Sequence, residues 1–319
     1  MSEKLKIHWC DIGMGIGNAY GYSTHARNMK RHVAEIADIC PDGYQSVQIQ
    51  TADKFQKIEG KKNYLFTMYE AEEIPASFIK GINQADHIIV PCEHNKRIFR
   101  PHTDKPISVC HEGCNTDIYT FKERSFPKVV PFRFLWLGAP NPRKGWEEVV
   151  SAWWAMNAKD NPDIELYLKT TMGDIYEKKY NVIYDSRNLS LKELVELYHS
   201  AHCFVFPTRG EGWGLTLTEA MATGCPCIAT QYSGTADFFD PYVGYPIKYD
   251  MRRFYHGQYD LHTHSAAPSV EDLAIRMAHV FNNYTEARVK ARKAAERIRY
   301  RFTWRKSAER LIDILKADR

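Results

Sequence analysis

Residues 204–230, FVFPTRGEGWGLTLTEAMATGCPCIAT, decide the fold: they read as strand, glycine loop, helix, glycine stop and second strand. Gly210, Gly212 and Gly214 let the backbone come close to a ligand, and the helix that follows opens with free N–H groups that favour an anion such as a diphosphate. Glu211 and Glu219 flank this seat, eight residues apart. Phosphate oxygens would repel carboxylates, so the two acids are expected to accept hydrogen bonds from hydroxyls, a sugar on one side and a ribose on the other. The competing reading makes Thr216-x-x-Glu219 a capping box and Glu211 a solvated loop acid.

Outward from this stretch, short β-rich runs alternate with helix-length amphipathic ones, the pattern of parallel sheets covered by helices, so the fold class is α/β. Strands are expected at Leu5–Cys10, Ser46–Thr51, Asn63–Tyr69, His87–Val90 and Ile107–Cys110, with helices near Tyr22–Asp38 and Pro75–Gln84. A second series has strands at Phe132–Leu137, Glu165–Lys169, Val182–Tyr184, Cys203–Phe206 and Pro226–Thr230, with helices at Trp146–Ala158 and Leu191–Ser200. From Ser269 onward the chain is expected to be wholly helical. This gives an N-terminal Rossmann-like domain over 1–118, a linker over 119–130, a C-terminal Rossmann-like domain over 131–300, and a last helix over 301–319 that packs back on the N-terminal domain. The ligand is expected in the cleft between two such domains, at the carboxyl ends of the strands.

The bulk properties suit this architecture. The chain has 319 residues, enough for about two domains at roughly 150 residues each. Its 26% charged residues and net charge of +4 exclude a disordered tail and select no partner. No apolar stretch approaches the ~20 residues of a membrane span, and MSEKLKI lacks a secretory h-region, so a cytoplasmic protein is expected, at most peripheral to a membrane. Eight cysteines without C-x-x-C spacing read as reduced core thiols, and Cys110-His111-x-x-Cys114 lacks a fourth ligand for zinc.

The stretch EGWGLTLTEAMATGCPCIAT resembles the E-x7-E element of the retaining nucleotide-sugar glycosyltransferases of the GT-B fold, family 4 (glycosyl transferases group 1). Phe134–Gly145 (FLWLGAPNPRKG) is similar to that family's strand and phosphate loop. Ala85–Pro91 with Glu93-His94-Asn95, His111–Tyr119 (HEGCNTDIY) and Phe302-Thr303-Trp304 follow in the family's order, from about residue 5 to 316. The resemblance implies a two-domain GT-B enzyme that moves a sugar from a nucleoside-diphosphate sugar to an acceptor hydroxyl, in a glycan or lipid-linked glycan, with retention and without a metal or other cofactor. It places Glu211 at the donor sugar, Glu219 on the ribose, Gly212, Trp213 and Gly214 on sugar hydroxyls, Leu215 and Thr216 at the diphosphate, and Lys144 on the diphosphate. Tyr184 and Arg187 fall where the family clamps the base. The family's arginine after the phosphate-loop glycine is Ala139 here, and Arg143 is expected to supply that charge.

In the first domain, Gly15 and Gly17 suggest a loop facing the donor; a dinucleotide fingerprint fails because its third glycine would be Tyr20. His25 and Tyr69 are acceptor-side candidates. Where many relatives keep a histidine, Met68-Tyr69-Glu70 stands, which makes Glu70 the candidate for orienting the acceptor hydroxyl. Nine Lys/Arg against one acid over 288–306 form either a solvated helix face or a surface for anionic lipid or nucleic acid. Alternatives left open are the same chemistry on a hydroxylated base in DNA, a sugar-nucleotide-binding protein without turnover, and a GT-B phosphorylase or epimerase.

Overall fold

A computed structural model describes residues 4–10, 20–127, 131–171 and 173–318. The chain divides into two compact units: Met1–Gly113 with Arg253–His264 and Arg301–Arg319, and Cys114–Arg252 with Ser265–Tyr300.

The first unit carries strands β1 (Lys6–Cys10), β2 (Asp38–Ile39), β3 (Gln45–Ile49), β4 (Lys62–Phe66), β5 (His87–Val90) and β6 (Ile107–Val109), in the parallel order β2-β1-β3-β4-β5-β6. Helix α1 (Tyr20–Ile36) lays Ala26, Met29 and Val33 against Ile7, Val47 and Phe66, and α9 (Trp304–Ala317) adds Ala308, Leu311, Ile312 and Leu315 to the same core. Asp318 fixes the end of that last helix by accepting hydrogen bonds from Tyr64 (2.9 Å) and His87 (2.9 Å) and pairing with Lys62 (2.8 Å). Helices α2 (Ala76–Gln84) and α3 (Glu93–Phe99) build a second core around Phe78, Ile82 and Phe99.

In the second unit β7 (Phe132–Leu137), β8 (Ile164–Lys169), β9 (Tyr176–Lys179), β10 (Val182–Asp185), β11 (Cys203–Phe206), β12 (Cys227–Thr230) and β13 (Tyr245–Ile247) run in the order β13-β12-β11-β7-β8-β10-β9. All pair in parallel except the edge strand β9. β8, β11 and β12 are buried along their whole length; β11 (CFVF) and β12 (CIAT) read accordingly as near-continuous apolar runs, whereas β8 (IELYLK) also buries Glu165 and Lys169. Helices α4 (Trp146–Ala155), α5 (Leu191–Ser200), α6 (Leu215–Ala222), α7 (Val270–Asn282) and α8 (Tyr284–Arg301) complete the series. The Ser190/Glu193 capping box opens α5, and Ser269 accepts a hydrogen bond from the Asp272 amide to open α7. Among the described residues no helix is long and apolar enough to cross a membrane.

One segment departs from the sequence reading. Residues 249–268 were expected to continue the C-terminal domain toward its helices; they form an antiparallel pair, β14 (Tyr249–His256) and β15 (Leu261–Pro268), whose outer part, Arg253–His264, groups with the first unit. Tyr259 packs on Tyr69 and Phe78 (ring centroids 5.8 and 5.3 Å apart), and Glu73 accepts hydrogen bonds from the His264 amide (2.6 Å), the His264 ring (2.7 Å) and the Thr263 hydroxyl (2.7 Å). Burial alone would raise the Glu73 carboxyl; these three bonds outweigh it and hold it down to about 2. Histidines and tyrosines scattered through 249–264 carry no clean alternation, so periodicity gave no strand signal here.

Candidate active site

The strand order of the second unit reverses between β7 and β11: from β7 the chain steps to β8 and β10 on one side, then returns to β11 on the other. The loops leaving the carboxyl ends of two such neighbours diverge and leave a crevice, the usual ligand position of an open α/β sheet. Gly138–Gly145 follows β7 and Pro207–Gly214 follows β11, so topology alone brings the two candidate loops together.

The loops interlock through backbone and charge. Asn141 opens a short turn over Pro142–Lys144 by accepting from the Lys144 amide, and Gly145 leaves it with φ +70°, where an added Cβ would lie 1.9 Å from the Pro207 carbonyl oxygen. The Arg209 amide donates to the Arg143 carbonyl (2.8 Å), and the Arg143 guanidinium donates to the Gly210 carbonyl (2.6 Å). Lys144 Nζ donates to both carboxylate oxygens of Glu211 (2.7 and 2.8 Å), Arg143 stands 3.3 Å from the same group, and the Thr208 hydroxyl donates to it at 2.8 Å. Glu211 is therefore a buried, cation-held acid and not a solvated one. Burial would raise its pKa, but the charges of Lys144 and Arg143 and the hydrogen bonds of Lys144 and Thr208 more than offset this and leave it lowered. Ala139 is exposed, and Arg143 ties the two loops together through the Gly210 carbonyl.

Beyond Glu211 the backbone of Gly212, Trp213 and Gly214 is buried, and α6 begins at Leu215 from Gly214 (φ +115°) with no side-chain cap. No side chain caps the tip of α6, and Leu215 and Thr216 are half-buried there. Here the capping-box reading fails: Glu219 does not reach back to Thr216. Its carboxylate accepts from the Tyr198 hydroxyl at 2.8 Å and from Tyr119. Burial pushes Glu219 up to about 7 against the downward pull of those two hydroxyls.

Sequence reasoning missed several residues. Ser233, in the left-handed region at φ 57°, accepts a hydrogen bond from the Glu211 amide (2.8 Å), and the Gly234 amide donates to the Glu211 carbonyl (3.0 Å), so the 233–235 turn presses on the glycine loop from the far side. A Ser-Gly pair after a strand was the available signal. Thr208, Tyr119 and Tyr198 act through space and had none.

The other candidates are placed as follows. Gly15 and Gly17 lie outside the described residues. His25 sits inside α1, wholly buried between Phe66 and Trp304 (ring centroids 4.3 and 5.5 Å) and 3.2 Å from Glu112, so it belongs to the core and not to an acceptor surface. Tyr69 is likewise wholly buried, which corrects its assignment to the acceptor side. Glu70 is half-buried, with its charge directed at Tyr22, whose hydroxyl donates to the Met68 carbonyl (3.1 Å). Tyr184 is exposed on β10; Arg187, past its carboxyl end, is held by both oxygens of Asp185 (3.0 Å each) and lies over the Tyr176 ring at 4.5 Å.

The basic run spends much of its charge locally. Arg288 and Arg292 pair with Glu123, Arg297 with Asp240 and Arg305 with Glu309, while Lys293 lies over the Tyr242 ring at 4.0 Å. Among the described residues no three His, Cys, Asp or Glu side chains form a group that could hold a metal ion.

Residues 120–251 match the model of the family described as glycosyl transferases group 1. A probable sucrose-phosphate synthase of Thermosipho melanesiensis is 23% identical over 297 residues, 86% of this chain and 63% of that protein. Mannosylfructose-phosphate synthase of Agrobacterium fabrum is 27% identical over 125 residues, 39% of this chain and 24% of that protein. The chain therefore spans less than two thirds of the length of these relatives. Among solved structures, Anabaena HepE in complex with UDP and glucose superposes with a TM-score of 0.73 at 12% identity, over 98% of this chain and all of that one. The fold is GT-B, with two Rossmann-like domains.

Proposed function

With residues 120–251 matching the model of the glycosyl transferases group 1 family, we propose that the chain transfers a sugar from a nucleoside-diphosphate sugar to an acceptor hydroxyl, with retention of anomeric configuration. The observation that carries this reading is the cluster of Lys144, Arg143 and Glu211 beside the uncapped start of α6, with Glu219 on the other side of that start. Two cations and a helix N-terminus suit a diphosphate, and two carboxylates beside them suit hydroxyls.

As the glycosidic bond breaks, the leaving diphosphate gains about one negative charge, which Lys144 and the N–H groups of α6 stabilise where it develops. Glu211 neutralises and orients Lys144 in the ligand-free site; with donor bound, Lys144 turns to the diphosphate and Glu211 accepts from the sugar hydroxyls. A divalent metal has no task in this scheme. The leaving phosphate takes the proton of the acceptor hydroxyl. A glycan or lipid-linked glycan is the proposed acceptor.

A thermal-shift screen against nucleotide sugars tests donor binding, since a ligand at 100 times its Kd adds about 2.7 kcal/mol. Release of nucleotide from the stabilising donor, lost in Glu211→Ala and Glu219→Ala, supports transfer. No stabilisation by any nucleotide sugar, or undiminished turnover in both variants, overturns it.

A further inference from the structure

The two acids of the site are held in opposite ways. Glu211 meets two cations, whereas the groups acting on the Glu219 carboxylate are neutral: the hydroxyls of Tyr198 and Tyr119, with the Cys114 thiol close enough to interact with both the acid and the tyrosines. Tyr198 rises from α5, wholly buried, with its hydroxyl 2.8 Å from Glu219 Oε2. Tyr119 packs edge-on against the Tyr198 ring, centroids 5.8 Å apart at 83°.

The framework behind the pair is closely tied. His199 bonds to the Thr120 carbonyl (2.8 Å), and the buried Arg124 guanidinium donates to the carbonyls of Tyr198 (2.7 Å), Ala201 (2.9 Å) and Thr223 (2.5 Å), locking the segment of Tyr119 to the ends of α5 and α6. Such fastening fixes where the two hydroxyls stand relative to the carboxylate.

A carboxylate has about four lone-pair sites. Two tyrosines engage two of them, and two remain. We propose that Tyr119 and Tyr198 are positioning residues for Glu219: their hydroxyls keep its carboxylate ionised despite burial and aim its remaining lone pairs at the paired hydroxyls of a ribose. The inference rests on the ribose-binding role of Glu219 in the function proposed above. With no cation acting on Glu219 among the described residues, loss of either hydroxyl shifts the balance toward the protonated acid, which offers one acceptor fewer and disfavours donor binding.

The test uses the full chain in two arms. In the first, carbon-detected NMR of the glutamate carboxyls, with Glu219→Gln to assign the resonance, follows Glu219 without ligand in wild type, Tyr198→Phe and Tyr119→Phe. In the second, calorimetry measures binding of UDP, GDP and their 2′-deoxy forms between about pH 6 and 8, a window that brackets ionisation near 7. The expected result is an upward move of the Glu219 midpoint by about one pH unit in each variant. The preference for ribose over deoxyribose then falls severalfold at neutral pH. An unchanged midpoint in both variants overturns the proposal. A moved midpoint in a chain that binds none of the nucleotides overturns the ribose assignment and leaves the tyrosine clamp standing. Binding that loses equally for ribose and deoxyribose forms makes the tyrosines structural and overturns the positioning role.

Discussion

Replacing Lys144 by Met separates the charge of the site from its packing. The side chain is 19% exposed and that of Glu211 9%, and both carboxylate oxygens accept from Nζ, so the variant leaves a largely buried carboxylate short of its closest cation. Breaking a buried pair from one side costs about 3–5 kcal/mol; Arg143 at 3.3 Å and the Thr208 hydroxyl remain, so about 2–3 kcal/mol is expected at pH 7. At 2–4 °C per kcal/mol for a unit of this size, the melting transition drops by about 6 °C.

The pH dependence has a definite sign. The folded pKa of Glu211 is depressed, so its contribution is present above the unfolded carboxylate value and disappears as pH falls through the folded one. Without Lys144 the acid protonates earlier, so the gap between variant and wild type, full at pH 7, closes at an acidic pH below the folded carboxylate value. Differential scanning calorimetry at both pH values, with Lys144→Met/Glu211→Gln as the second corner of a cycle, measures this. An equal loss at both pH values would assign the effect to packing. No loss at neutral pH would refute the account of the ion pair.

Gly234→Ala places a Cβ 2.5 Å from the Gly212 carbonyl oxygen and 2.6 Å from Trp213 Cα, so the glycine loop must shift. A cost of about 1–3 kcal/mol and a tenfold or greater loss of nucleoside-diphosphate affinity are expected by calorimetry, and intact affinity counts against the loop as the binding seat. Glu73→Gln removes the charge and one of the two acceptor oxygens at which Thr263 and His264 converge; amide exchange at 70–75 should quicken at pH 7 while β4 is unaffected, and in wild type the clasp should persist until pH falls toward about 2. Glu219→Gln should raise the melting temperature at pH 8 and not at pH 4. A folded pKa raised to about 7 is a stability contribution lost as pH rises through that value, and Tm at the two pH values checks it.

The central strands were legible because they are largely buried: CFVF, CIAT and FRFLWL admit few other readings, and the glycine loop announces itself by Gly212 and Gly214. Burial and partner choice were not legible. His25 was an acceptor-side candidate, but α1 runs from Tyr20 to Ile36, which puts residue 25 more than a turn inside that range and on its core face. Glu219 fitted the spacing of a capping box because spacing cannot tell which residue opens a helix; Gly214 does, two residues ahead of Thr216. The arm at 249–268 was hidden because its ordering contacts are made to residues 69–78, far away in sequence.

The contrast between the two acids constrains the mechanism. In the proposed reaction Glu211 lies beside the breaking glycosidic bond, and Lys144 and Arg143, which favour its ionised form, are the same cations that reading gives to the diphosphate. That conflict resolves only if donor binding exchanges partners, Lys144 moving from carboxylate to phosphate while hydroxyls take its place on Glu211. Such an exchange keeps the number of charge-assisted hydrogen bonds nearly constant, so the ligand does not first have to strip a buried ion. Glu219 faces no such exchange: its partners are hydroxyls before binding and hydroxyls after it, and the tyrosines need not move. Conformational change on donor uptake should therefore concentrate in the Lys144 side chain and the Gly210–Gly214 loop, while the Tyr119, Tyr198 and Glu219 cluster stays in place.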